Sequence, residues 1–149
     1  MKVKLGKTEV IHFIGIGGIG MSGLSLIMKS KGFKIQGSDA SYNKNVERLK
    51  KEKIKVFIGQ KKQNLKNATI VVISSAIKKN NPEIIEAKKK NLPIITRGKM
   101  LAHIVSLTKN IVVVGSHGKT TTTSLITSIF QRTKLDPTII NGGVINSLK

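Results

Sequence analysis

At 149 residues, with 39% apolar side chains and no cysteine, the chain has room for one ordinary domain or a domain plus part of another, and disulfides and thiolate metal sites are excluded. The net charge of +20 suggests nucleic acid, but the lysines are scattered, aromatic residues are 3%, and arginine occurs only at Arg48, Arg97 and Arg132; base readout and stacking lack their usual residues, so a solvated lysine surface is expected. No apolar stretch reaches the roughly 18 residues that cross a bilayer, and Met1–Thr8 followed by Val10–Ile16 has no small-residue cleavage site, so a cytoplasmic protein without a membrane or nucleic-acid partner is expected.

Taken in order, short β-branched runs alternate with amphipathic stretches. Glu9–Ile14 reads as a first strand and Ile19–Lys31 as a helix closed by Gly32. Phe33–Gly37 is a second strand ending in Ser38 and Asp39; Asn43 caps a helix through Glu52, and Lys55–Ile58 is a third strand. Thr69–Ser74 is apolar enough to be buried on both faces of a parallel sheet. Asn81 caps a helix opening on Pro82 and running to about Lys90, Pro93–Thr96 is a fifth strand, and Gly98–Ser106 a further helix. This alternation predicts an α/β, Rossmann-like, doubly wound parallel sheet over residues 1–106. The pattern then restarts with Asn110–Val114 as a buried strand, a helix to about Arg132, a turn at Asp136 and Pro137, and a strand from Thr138–Ile140. Residues 107–149 therefore read as the start of a second, P-loop domain with too few elements to close a core.

Two glycine-rich loops carry the chemistry. Gly15-Ile16-Gly17-Gly18-Ile19-Gly20 matches G-x-G-x-x-G between a strand and a helix: Gly15 for a tight turn, Gly17 for backbone approach to a diphosphate, Gly18 beside it, and Gly20 for close helix–strand packing. Asp39, nineteen residues beyond Gly20, stands where ribose-binding carboxylates occur. A nicotinamide dinucleotide and a UDP-sugar both satisfy this loop. The second, Gly115-Ser116-His117-Gly118-Lys119-Thr120, has Val113 where a P-loop's first glycine stands. Its chemistry survives: backbone amides wrap phosphate oxygens, Lys119 reaches the terminal phosphates of ATP, and the Thr120 hydroxyl ligates Mg²⁺, with Thr121 next on the helix. A dehydrogenase leaves the second loop idle and a simple NTPase leaves the first idle. An ATP-dependent enzyme acting on a nucleotide-linked substrate uses both.

With both loops placed, the sequence resembles the Mur ligase family over essentially its whole length. The resemblance rests on His12 through Gly23 (HFIGIGGIGMSG), Gly37-Ser38-Asp39, Ser74-Ser75-Ala76-Ile77, Gly115–Thr123 with Ser116 for the usual threonine, Asp136-Pro137-Thr138 and Asn141-Gly142-Gly143. Arg97–Leu101 departs from the family's R-A-E-M-L at Gly98 and Lys99. The opening motif is most similar to members joining L-alanine to UDP-N-acetylmuramate, rather than to those attaching a tripeptide.

The resemblance implies three domains, binding UDP-N-acetylmuramate, Mg-ATP and the amino acid in turn, and a reaction through an acyl phosphate. It assigns Gly15, Gly17, Gly18 and Gly20 to the UDP diphosphate, Asp39 to the ribose, and Ser74, Ser75 and Ala76 to the same crevice. Gly115, Ser116, His117, Gly118, Lys119, Thr120 and Thr121 fall to ATP, with Lys119 and Thr120 as the catalytic pair and Thr120 on Mg²⁺. His12 is expected to be a packed strand residue, His103 a helix-surface one, and His117 to matter through its backbone. The chain is expected to be an N-terminal portion that depends on C-terminal domains of the same enzyme for ligation. The alternative is an NAD(P)-binding Rossmann domain of an oxidoreductase or regulator.

Overall fold

The computed structural model describes residues 6, 8–133, 135, 137–141 and 144–147, the last four by their backbone. A five-stranded, wholly parallel sheet is built from β1 (Val10–Ile14), β2 (Lys34–Asp39), β3 (Lys55–Ile58), β4 (Ile70–Ile73) and β5 (Ile94–Thr96) in the spatial order β3-β2-β1-β4-β5. β1 is central, with Ile14 opposite Ser38 of β2 and Ile73 of β4. The chain order reverses beside it, so the crevice between the carboxyl ends of β1 and β4 is the topological switch point where open α/β sheets bind ligands.

Helices cover both faces. On one face α1 (Ile19–Ser30), α2 (Lys44–Lys51) and α4 (Arg97–Ser106) bury Met21, Leu24, Met28, Val46, Leu49, Met100 and Ile104 against Ile11, Phe13 and Val72. On the other, α3 (Pro82–Lys89) and a short 3-10 helix at Lys62–Leu65 set Ile84, Ala87 and Leu65 against Ile14 and Val71. The period-2 alternation of β1 sends Ile11 and Phe13 one way and His12 and Ile14 the other.

The caps follow the sequence. Asn43 accepts the Val46 amide at 3.0 Å, and Asn81 accepts the Glu83 amide at 2.8 Å with Pro82 opening α3. These short polar side chains take amides that helix starts leave free. The 3-10 helix, absent from the sequence reading, brings the Asn64 side chain under the sheet, where it donates to the Gly59 carbonyl at 2.9 Å.

The strand expected over Asn110–Val114 does not form. These residues are irregular, and Ile111, Val112 and Val114 are 62%, 63% and 83% exposed. A β-branched run becomes a strand when a neighbour takes its backbone groups and covers its side chains; among the described residues no strand lies beside this one. α5 (Lys119–Phe130) follows with no buried residue. β6 (Thr138–Asn141) and β7 (Val144–Ser147) pair antiparallel, apart from the main sheet, and Ile140 packs against the core. Asp136, Gly142 and Gly143, and most of the lysine-bearing N-terminus, lie outside the described residues.

Candidate functional site

The first glycine loop sits at the switch point. Gly15 turns the chain out of β1 with φ +76°, a conformation side-chain-bearing residues rarely adopt. The amides of Gly15 and Ile16 both donate to the Ser38 carbonyl, at 2.8 and 2.9 Å, binding the loop's root to the end of β2. Gly17 is held on both sides: its amide donates to Asp39 Oδ2 at 2.8 Å, and its carbonyl accepts from Asn45 Nδ2 at 2.8 Å. Asp39, read from the sequence as a ribose contact, thus has a second role as anchor of the loop.

Gly18 is the N-cap of α1 and offers no side-chain cap. The first i→i−4 bond into this helix runs from the Ser22 amide to the Gly18 carbonyl at 2.8 Å, so the amides of Ile19, Gly20 and Met21 have no intrahelical acceptor. Ile19 is 62% exposed, leaving this end open to solvent. Unpaired amides at the positive end of a helix dipole suit an anion.

Arg97 stands over this helix start. A Cβ added to Gly20 would lie 2.8 Å from Arg97 Nη1, so the guanidinium occupies the space that Gly20 leaves open. Arg97 opens α4 directly after β5 and also lines a cleft of about 600 Å³ with Ile73, Ser74, Ser75, Ile77 and Thr96. Ile77 connects the two regions as well, reaching to 3.1 Å from a Cβ placed on Gly15. Loop and cleft are therefore one continuous surface with a cation at the join. Ser74 and Ser75 line the cleft; Ala76, in the same turn, is exposed and outside the lining.

The second loop is exposed throughout. Gly118, with φ +75°, is the N-cap of α5, and the Thr122 amide makes the first helical bond to its carbonyl at 2.9 Å. This again leaves free amides, those of Lys119, Thr120 and Thr121. Lys119 Nζ folds back to the carbonyls of Gly115 at 2.6 Å and Ser116 at 3.0 Å. The hydroxyls of Thr123, Ser124, Thr127 and Ser128 donate back to carbonyls one turn earlier. Those of Thr120 and Thr121 make no such bond among the described residues. Free hydroxyls, free amides and an ammonium in one loop fit a nucleotide phosphate with its divalent cation.

The family model described as Mur ligase family, catalytic domain, matches residues 10–109, which span the whole sheet and the first loop. The chain belongs to the Mur ligase family. The UDP-N-acetylmuramate–L-alanine ligase of Pelagibacter ubique is 73% identical over 149 residues, covering 100% of this chain and 32% of that protein. Among solved structures, the UDP-N-acetylmuramate-alanine ligase of Thermotoga maritima superposes with a TM-score of 0.79 at 31% identity, over 89% of this chain and 31% of that one. The UDP-N-acetylmuramate:L-alanyl-γ-D-glutamyl-meso-diaminopimelate ligase of Neisseria meningitides gives 0.79 at 32%, over 93% of this chain and 46% of that one. This Mur ligase chain thus spans about a third of the length of the curated relative it matches. The fold is shared by the alanine-adding and tripeptide-adding structures alike, and these likenesses do not favour a nicotinamide-binding domain.

In this Mur ligase chain the structure brings the glycines, Asp39, Ser74 and Ser75 together at the switch point. It adds Arg97, Asn45 and Ile77, which the sequence reading had not assigned to the site. Arg97 carried a signal, being one of only three arginines and falling directly after a strand. His12 is fully buried and His103 half-buried.

Proposed function

We propose that this chain supplies the UDP-N-acetylmuramate-binding region (residues 1–106) and the ATP loop (within residues 107–149) of a ligase that joins L-alanine to UDP-N-acetylmuramate with cleavage of ATP. The observation that carries this reading is the switch-point site, where α1 amides without an intrahelical acceptor, the Arg97 guanidinium and a cleft lined by Ser74 and Ser75 adjoin one another. The 73% identity to an alanine-adding relative supports the choice of amino acid.

The amides of Ile19, Gly20 and Met21, with Arg97, hold the UDP diphosphate, while Ser74 and Ser75 line the crevice occupied by the rest of the substrate. Asp39 keeps the loop in shape and presents its remaining lone pairs to the ribose. In the second loop the amides after Gly118 wrap the ATP phosphates. Lys119, leaving the Gly115 and Ser116 carbonyls, neutralises charge on the transferring phosphoryl group. Mg²⁺, held through the Thr120 hydroxyl, would supply charge neutralisation at the same phosphates. Ligation is proposed to need the further length that the relatives have, and the enzyme to work in the cytoplasm. Among the described residues no helix is long and apolar enough to cross a membrane.

Calorimetric titration of the 149-residue chain with UDP-N-acetylmuramate, NADH and ATP tests the reading. Saturable binding of the UDP-sugar, lost in Gly17→Val and absent for NADH, is expected. Binding of NADH in its place would overturn it.

A further inference from the structure

Below the first loop, on the α3 face of the sheet, lies a polar cluster that the binding site itself does not use. Glu83 is fully buried. Its Oε2 accepts the Ser38 hydroxyl at 2.6 Å, and its Oε1 accepts Asn64 Nδ2 at 2.7 Å and lies 3.5 Å from His12 Nε2. Gln36 Nε2 donates to the Asn64 carbonyl at 3.0 Å and faces His12 Nδ1 at 3.2 Å. Among the described residues His12 Nε2 has no hydrogen-bond partner at bonding distance.

A carboxylate taken out of water is costly even with good partners, and apolar packing would serve stability as well. The opposite face of the sheet is packed mainly with apolar side chains, among them Phe13, Met28 and Val72, and beside Glu83 itself Ile84 and Ala87 pack against Ile14 and Val71. What the cluster offers beyond packing is its position. Ser38, whose hydroxyl Glu83 fixes, is the residue whose carbonyl receives both Gly15 and Ile16 amides. Glu83 sits at the start of α3, which carries Ile84 and Lys88 of the cleft wall.

We propose that Glu83, acting through Ser38, is a positioning residue for the diphosphate loop: it fixes the carbonyl from which the loop hangs and ties that loop to the α3 wall of the cleft. This rests on the reading of the first loop as a diphosphate site. A short, charge-assisted hydrogen bond inside a low-dielectric cluster orients its partner more firmly than a neutral surface bond.

The test compares the parent chain with Ser38→Ala and Glu83→Gln, following amide hydrogen exchange residue by residue and affinity for UDP-N-acetylmuramate. In Ser38→Ala, exchange at Gly15 and Ile16 is expected to rise about tenfold more than along the rest of β1, and the UDP-sugar Kd to rise about tenfold. Glu83→Gln, in which a neutral amide replaces the carboxylate that receives the Ser38 hydroxyl, is expected to raise exchange at Gly15 and Ile16 and the UDP-sugar Kd in the same direction by a smaller factor. Ser38→Cys keeps the volume with a weaker donor and serves the same comparison should the alanine variant not fold. The proposal is overturned if the Ser38 variants lose thermal stability while exchange at Gly15 and Ile16 rises no more than elsewhere and affinity stays within about twofold. A parent chain that binds no UDP-sugar would instead sink the proposed function, and the exchange pattern would still decide whether Glu83 sets the loop.

Discussion

The Gly17 amide donates to the Asp39 carboxylate at 2.8 Å, so the residue proposed to meet a ribose also holds the loop proposed to meet the diphosphate. The two roles separate by substitution. Asp39→Asn retains an oxygen acceptor for Gly17, whereas Asp39→Ala leaves that amide unpaired. Calorimetry is expected to show the alanine variant losing at least about tenfold in UDP-sugar affinity and the asparagine variant much less. Equal losses would mean that the carboxylate charge itself touches the ligand.

Gly17 and Gly20 differ in what surrounds them. A Cβ on Gly17 would fall 2.7 Å from Asn43 Nδ2, 2.8 Å from Asp39 Oδ2 and 2.9 Å from Val46 Cγ2, within a packed corner. On Gly20 it would meet the far end of Arg97, which can swing away. Gly17→Ala is therefore expected to cost about 1–3 kcal/mol of stability as well as affinity. Gly20→Ala should unfold at the parental urea midpoint yet bind UDP-sugar as weakly as Arg97→Ala, with the double variant little worse than either single one.

Gly37 leaves no such escape. An added Cβ would lie 2.6 Å from the Phe13 carbonyl and 2.6 Å from Ile16 Cδ1. Gly37→Ala is expected to lower stability by at least about 1–3 kcal/mol in denaturant titration, because backbone must move.

Lys119 donates to the carbonyls of its own loop and is not among the residues lining the main sheet's cleft. Lys119→Ala is expected to remove measurable ATP binding while UDP-sugar affinity stays unchanged. A parallel loss of both would show that the two loops cooperate.

The Glu47–Lys51 pair on α2, at 2.8 Å, offers a pH-dependent check. The hydrogen bond and charge of Lys51 hold the Glu47 carboxyl below its ordinary value, and Glu47 raises Lys51 in return. The Glu47 contribution is thus present above the ordinary carboxylate range and lost as pH falls through its lowered folded value. That of Lys51 is present below the ordinary lysine value and lost as pH rises through its raised one. Both groups are solvated, so Lys51→Ala should move the Glu47 titration upward by NMR while the melting temperature barely changes.

Strand–helix alternation and short caps made most of the sheet legible, because both are local: Asn43 and Asn81 cap where the sequence placed them, and Pro82 opens its helix. The glycine spacing likewise located the first loop. What stayed hidden depends on distant partners. Glu83 reads in sequence as an ordinary acidic first-turn residue, and only the packing of α3 and the 3-10 helix against β1 and β2 makes it a buried hub. Arg97 reaches Gly20 only because β5 lies beside β4, two strands from β1. Asn110–Val114 misled for the same reason in reverse: its composition suits a strand, but no described neighbour pairs with it.

The central place of β1 bears on how the chain acquires its fold. Its partner β2 follows within a short stretch of sequence, but β4 pairs 59 positions downstream, Ile11 with Ile70. Closing that long loop is entropically slow compared with forming α1. During synthesis the glycine turn would therefore emerge well before the crevice beside it exists, and Arg97 would arrive later still. A ligand recognising the assembled crevice would engage only chains whose sheet had already closed, drawing the folding equilibrium toward that register.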